Sequence, residues 1–302
     1  MLKAWAQLVR LPNVFTAPAD VIAGAALSLF QPHKQNGLPD NIVWLCLISV
    51  CYYMAGMILN DVADGEEDRR ERPFRPLPSG RISKTTAITA GTLLMAVGLV
   101  IGFWQLPAGY TWQQLSPVVG LPMLILAYNF LFKNTWLGHI VMGLCRGFNL
   151  LLGTIMVADL NGPCYAAACV NTLYIIGVTY IAFEETKMLH RKRMLLGLLM
   201  IYFSTIILAG FYHRYFDSVE IPPHIPVTNY LVILLLLMPA LIWIRAVDKP
   251  IPSNIGLGIK YSILGLVVIN AIHATYPLGY PGLLVLLFLI PALFLGKFIY
   301  ST

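Results

Sequence analysis

The chain has 302 residues, 58% of them hydrophobic and only 11% charged, with a mean hydropathy of +0.73. A soluble domain carries roughly a quarter charged residues, so this composition excludes that class and describes an integral membrane protein. The net charge of +6 does not signal a nucleic-acid partner. The basic residues form no continuous stripe and sit mostly in short loops between apolar runs, as membrane topology requires.

Lys3 and Arg10 precede the first apolar run, a loose likeness to a signal peptide. No small-residue cleavage site stands out, so this run is expected to be a retained first helix. A spanning helix needs about 20 largely apolar residues. The candidate spans are 14–30, 42–60, 85–104, 116–132, 137–158, 165–183, 194–212, 228–245, 256–275 and 281–299. The fourth is short, and YPLGYPG alone separates the last two. The expectation is therefore an all-α, polytopic transmembrane bundle of nine or ten helices, forming a single domain over 1–302. The cysteines Cys46, Cys51, Cys145, Cys164 and Cys169 lie within or beside apolar runs without metal-ligand spacing, so they read as small buried hydrophobes.

With the N-terminus inside, the even-numbered loops hold the basic residues of 69–84, Lys133, Lys187, the cluster at 191–193, Arg245 and Lys249. The odd-numbered loops hold Lys34 and Arg214. Cytoplasmic loops carry the excess of Lys and Arg, so the N-terminus is expected in the cytoplasm.

The most informative stretch follows the second span: NDVADGEEDRRERPFRPLPSG, Asn60 to Gly80. If the helix continues into it, Asn60, Asp64 and Asp68 fall at i, i+4 and i+8, with Asp61 flanking the same face. Carboxylates so close repel one another unless a cation is present. Oxygen ligands with room for water and phosphate suit magnesium, and Arg69, Arg70, Arg72 and Arg75 are natural partners for phosphate oxygens. The competing reading is a solvated charge run with i, i+4 salt bridges. Pro73, Pro76 and Pro78 stop the helix, and Gly80 permits a sharp turn.

This stretch resembles the first aspartate motif of the UbiA-type membrane prenyltransferases, N-D-x-x-D-x-x-x-D followed by R-P-x-R-P-L-P-S-G. The match covers Asn60, Asp61, Asp64, Asp68 and the run from Arg72 to Gly80 except Phe74. LVRLPNVFTAP, with Arg10 and Asn13, resembles the family's first-helix entry. Tyr128 and Lys133 in YNFLFKNT resemble its loop after helix four. MGLCRGFNLLLGT and the C-terminal PALFLGKFIYST are similar to its EboC-like branch. The resemblance implies a helix bundle around a central cavity open to cytoplasm and lipid. It also implies magnesium-dependent transfer of a prenyl group from a prenyl diphosphate to a hydrophobic acceptor, aromatic or lipid. On that footing Asn60, Asp61, Asp64 and Asp68 are candidate metal ligands. Asp64, Asp68, Arg72, Lys133 and Glu185 are the candidate catalytic residues, and Asn60, Arg75, Tyr128, Arg146, Asn149 and Lys187 the candidate substrate contacts. The setting is expected to be the bacterial cytoplasmic membrane, with the site on its cytoplasmic side.

Arg146 lies deep in the fifth span, with Asn149 at i+3. A charge at that depth faces the bundle interior and has a partner. It is either paired with a buried acid such as Asp20, or contacts phosphate or acceptor from the cavity wall. The family's second acidic motif, D-x-x-x-D, is degenerate here. In TYIAFEETKMLHRKR, Glu184 and Glu185 have Tyr180, Ile181, Met188 and Leu189 four residues away. Either Glu185 suffices, or one ion combines with Lys187 and Arg193, or the donor is unusual. A protein that binds or moves a lipid without catalysis is the alternative function.

Overall fold

The computed structural model describes residues 1–29, 37–182, 191–216 and 225–299, and these are helices joined by turns, without strands. Two short helices lead in: α1 (Leu2–Leu8) and α2 (Leu11–Val14). Each predicted span then falls on a helix: α3 (Thr16–Ser28), α4 (Ile42–Ala63), α6 (Lys84–Gln105), α7 (Trp112–Ala127), α8 (Trp136–Leu152), α9 (Gly162–Ala182), α10 (Arg191–Phe216), α11 (Ile225–Asp248) and α12 (Pro252–Leu278). The last span is a 3-10 segment, Tyr280–Phe288, running into α13 (Leu289–Leu295). The charged stretch contributes α5 (Gly65–Glu71).

Ile42–Ala63, Lys84–Gln105, Trp112–Phe132, Gly162–Ala182, Arg191–Gly210 and Pro252–Leu278 are long and apolar enough to cross a membrane. Their outward faces carry exposed Val43, Val100, Met123 and Leu199. In water such a surface would be costly; against lipid it is solvated. The protein is an integral membrane protein.

Local chemistry accounts for the helix ends. Ser83 caps α6 by accepting from the Thr86 N–H at 3.0 Å, and Thr111 and Gln114 form a capping box on α7. The helix carrying Arg146 stops at Leu152, short of the expected 158. Gly153 there meets α3 backbone to backbone, and a Cβ on it would lie 2.0 Å from the Val21 carbonyl oxygen. The final span is not a regular helix because Pro281 and Pro291 each remove a backbone donor. The cysteines are free thiols; Cys51, Cys145 and Cys164 are buried as expected, but Cys46 is half-buried and Cys169 faces outward.

At one end of the bundle Ala4, Leu8 and Val9 pack with Ile58, Val62, Ile82 and Ala87, which lays the N-terminal segment against the end of α4. At that same end Arg193 lies 4.8 Å from the Tyr180 ring and His139 stacks edge-on to it at 5.4 Å. The starts of α8 and α10 and the end of α9 therefore share that end.

Candidate active site

The charged stretch does not continue α4 as one uninterrupted helix. Asp64 (φ −79°, ψ 2°) ends α4 and begins α5, yet the ladder survives the junction: the Asp64 N–H donates to the Asn60 carbonyl at 3.0 Å and the Asp68 N–H to the Asp64 carbonyl at 2.9 Å. The i, i+4, i+8 register is thus kept across a small bend. Pro73 follows the end of α5, and Gly80 takes φ 72°, the left-handed region that glycine adopts without penalty.

The stretch has two faces. Glu66, Glu67, Arg69, Arg70 and Glu71 are exposed, so Arg69 and Arg70 stand on the outer face with the glutamates. Asn60, Asp61, Asp68 and Arg75 are buried, and Asp64 and Arg72 are half-buried. Arg75 donates from Nη1 to both oxygens of Asp68, at 3.0 and 2.9 Å. Arg72, at 3.8 Å from Asp68, supplies the i, i+4 salt bridge. Asp61 Oδ1 has Arg10 Nη2 and Arg75 Nη1 each at 3.6 Å, but no hydrogen bond, although it is buried. Arg10 itself sits in the left-handed region (φ 50°), unusual for a residue with a Cβ.

Asp64 pairs with Lys133, whose Nζ also donates to Asn60 Oδ1 at 3.1 Å. Lys133 is placed by a π-turn, Tyr128–Phe132, closed by the Lys133 N–H on the Tyr128 carbonyl at 2.9 Å. Such wide turns concentrate at functional sites. Burial lowers the Lys133 ammonium from the ordinary lysine range, against the opposing pull of Asp64. The same turn presents Asn129, which accepts from Asn60 Nδ2 at 3.0 Å and donates to the Gly56 carbonyl at 3.1 Å. The sequence reading missed Asn129; an amide beside a resembling Tyr-and-Lys loop was its one available signal.

One helical turn from Asn60, a cavity opens between α4, α7 and α8. Its walls are mainly apolar and aromatic, including Tyr52, Tyr53, Leu121 and Ile125, and it brings together the predicted Tyr128, Arg146 and Asn149. Arg146 is paired as well as cavity-lining: it donates to Asp20 Oδ2 at 2.8 Å and to Thr16 Oγ1, and lies 5.7 Å from the Tyr53 ring centre. Asn149 donates to the same Asp20 oxygen at 2.8 Å and accepts from Ser49 Oγ at 2.6 Å. Asn270 donates to Asp20 Oδ1, and Asn171 to Asn270 at 3.0 Å. Asn270 thereby completes this network. Glu184, Glu185 and Lys187 lie outside the described residues.

Among the described residues no three acidic, histidine or cysteine side chains converge as a metal cluster. The donor chemistry nonetheless suits magnesium. Asn60 Oδ1 and Asp64 already share one cation, the Lys133 ammonium, and Asp61 offers a buried oxygen without a hydrogen bond. These are hard oxygen donors on the inner face, the kind magnesium takes together with waters and substrate phosphate.

The sequence model of the UbiA prenyltransferase family matches residues 21–302. The chain belongs to that family. Among relatives, a digeranylgeranylglyceryl phosphate synthase of Methanococcus vannielii is 31% identical over 169 residues, 56% of this chain and 58% of its own length. One from Methanocaldococcus jannaschii is 34% identical over 34% of this chain and 35% of its own. The matched stretches thus span about half or less of these relatives. A UbiA homolog from Archaeoglobus fulgidus, solved with DMAPP and Mg2+, superposes with a TM-score of 0.58 at 17% identity, covering 88% of this chain and 98% of that one. Another from Aeropyrum pernix K1 gives 0.61 at 16%, covering 86% and 96%. These likenesses establish the UbiA fold.

Proposed function

We propose that this UbiA-family chain is a magnesium-dependent membrane prenyltransferase, moving a prenyl group from a prenyl diphosphate to a hydrophobic acceptor, aromatic or lipid. The observation that carries this reading is the placement of paired acids and cations one helical turn from an apolar, aromatic-walled cavity. The named activity of the Methanococcus relative and the DMAPP and Mg2+ bound to the Archaeoglobus homolog support the same class.

In this reading Asn60, Asp61, Asp64 and Asp68 would hold magnesium, whose charge would stabilise the departing diphosphate. Arg72, partly exposed and held to Asp68 only at 3.8 Å, has donors left for diphosphate oxygens, as does Lys133 once it leaves Asp64. Arg75 is turned to Asp68 and holds it in place. The allylic C–O bond breaks with its electron pair on the diphosphate. Tyr53 and Tyr128 line the cavity, where aromatic rings would favour the developing allylic cation. The acceptor's electron pair closes the new bond, and its proton passes to the released diphosphate or to water. Arg146 and Asn149 form the polar part of the pocket wall, while Glu185 and Lys187 complete the diphosphate end from the second loop. The protein acts as one domain over 1–302 in a cytoplasmic membrane, N-terminus and site on the cytoplasmic side, and the likeness of MGLCRGFNLLLGT to the EboC-like branch supports a place there.

Incubating purified protein with labelled prenyl diphosphates and a panel of aromatic and lipid acceptors tests this. Product formation that persists unchanged in excess chelator removes magnesium from the reaction. A non-catalytic lipid carrier is the second reading, and the observation favouring it is the missing acidic partner of Glu184 and Glu185. Wild type that binds prenyl diphosphate but consumes none with any acceptor supports the carrier.

A further inference from the structure

The orientation of the Asn60 amide is decided outside the acidic stretch. A carboxamide has one accepting and one donating end, and which faces where follows from partners of fixed polarity. The chain of contacts here has such a partner at each end. The Gly56 carbonyl can only accept, so Asn129 turns its Nδ2 toward it, at 3.1 Å. Asn129 Oδ1 then accepts from Asn60 Nδ2 at 3.0 Å, which leaves Asn60 Oδ1 facing the Lys133 ammonium at 3.1 Å. That ammonium can only donate. Reversing both amides would set oxygen against oxygen at Gly56 and NH2 against NH3+ at Lys133. Asn129 is buried, 6% exposed, and the Tyr128–Phe132 π-turn brings it to α4 beside Lys133.

We propose that Asn129 is a positioning residue that locks the Asn60 side-chain oxygen toward the cation side of the site. It rests on the reading of Asn60 as a magnesium ligand. Once Lys133 turns to the diphosphate, Asn129 is the partner that still fixes the Asn60 amide; without it the amide is free to turn, and its NH2 would face the metal in part of the population. Partners that orient a ligand typically account for about 10–100-fold in metal affinity.

The test is Mn2+ affinity, read from the electron paramagnetic resonance of free Mn2+ with geranyl diphosphate present, beside the metal-free thermal midpoint. Asn129→Leu should weaken Mn2+ binding about 10–100-fold. Asn129→Asp keeps the acceptor for Asn60 Nδ2 but sets a carboxylate against the Gly56 carbonyl. It should lower the thermal midpoint yet bind Mn2+ as tightly as wild type or tighter. In an Asn60→Ala background, Asn129→Leu should change affinity no further, since the two residues act through one contact. If Asn129→Leu binds like wild type, or its effect adds fully to that of Asn60→Ala, the positioning role is overturned while the magnesium reading stands. Should the Leu variant not fold, Asn129→Asp decides alone: affinity falling in step with stability means a merely structural amide. Wild type that binds no Mn2+ overturns the magnesium reading, and this role with it.

Discussion

Asp64 and Asp68 are four residues apart and have opposite prospects on removal. Asp68 is 1% exposed and is the acceptor for both hydrogen bonds of the buried Arg75. Asp68→Ala strands that guanidinium, and breaking a buried pair from one side costs about 3–5 kcal/mol. Its thermal midpoint in detergent should drop well below that of wild type. Asp64 and its partner Lys133 are partly exposed, so water can replace the lost contact. Asp64→Ala should keep its midpoint and lose diphosphate binding and product formation. Equal thermal losses in the two variants would contradict the division of roles. Glu185→Gln removes a charge with little change of shape. For an enzyme, turnover should fall by orders of magnitude while ground-state donor affinity falls much less, about 1.4 kcal/mol being a factor of ten. Wild-type behaviour in both assays would leave Glu185 without a role.

At the scale of elements, α3 and α8 touch through glycine. A Cβ on Gly24 would stand 2.0 Å from the Leu150 carbonyl oxygen, as one on Gly153 would from that of Val21. No rotamer relieves a clash with backbone, so Gly24→Ala must push the helices apart and strain the Asp20–Arg146–Asn149 contacts between them. We expect a loss of about 1–3 kcal/mol or more, read as a lower thermal midpoint. A midpoint equal to wild type would mean the crossing is looser than described. The helices themselves were legible because apolar runs of membrane length leave few alternatives. The inner face of the motif was legible from the i, i+4, i+8 spacing. The bend at Asp64 and the exposure of Arg69 and Arg70 were not, since periodicity says which residues share a face but not what packs against it. The roles of Asn129 and Asn270 were not legible for the same reason: their partners lie 69 and 250 residues away.

For the whole molecule, the asymmetry of Lys and Arg sets the testable orientation. In a cysteine-free background Glu67→Cys is exposed beside the motif, and an impermeant thiol reagent should label it in inverted vesicles but not in intact cells. Labelling of intact cells would reverse the topology. The Asp20–Arg146 pair has a consequence for how the protein is made. Each charge placed alone at the centre of a membrane helix costs about 2.5–3.5 kcal/mol to insert. Asp20 meets Arg146 only after 126 further residues have been synthesised, and Asn270 only after 250. Until the fifth span is in place, the first span carries Asp20 without the partner it has in the folded protein. Nascent chains stalled just before Arg146 should be extracted from the membrane and degraded far faster than chains stalled beyond Leu152, and Asp20→Asn should abolish that difference.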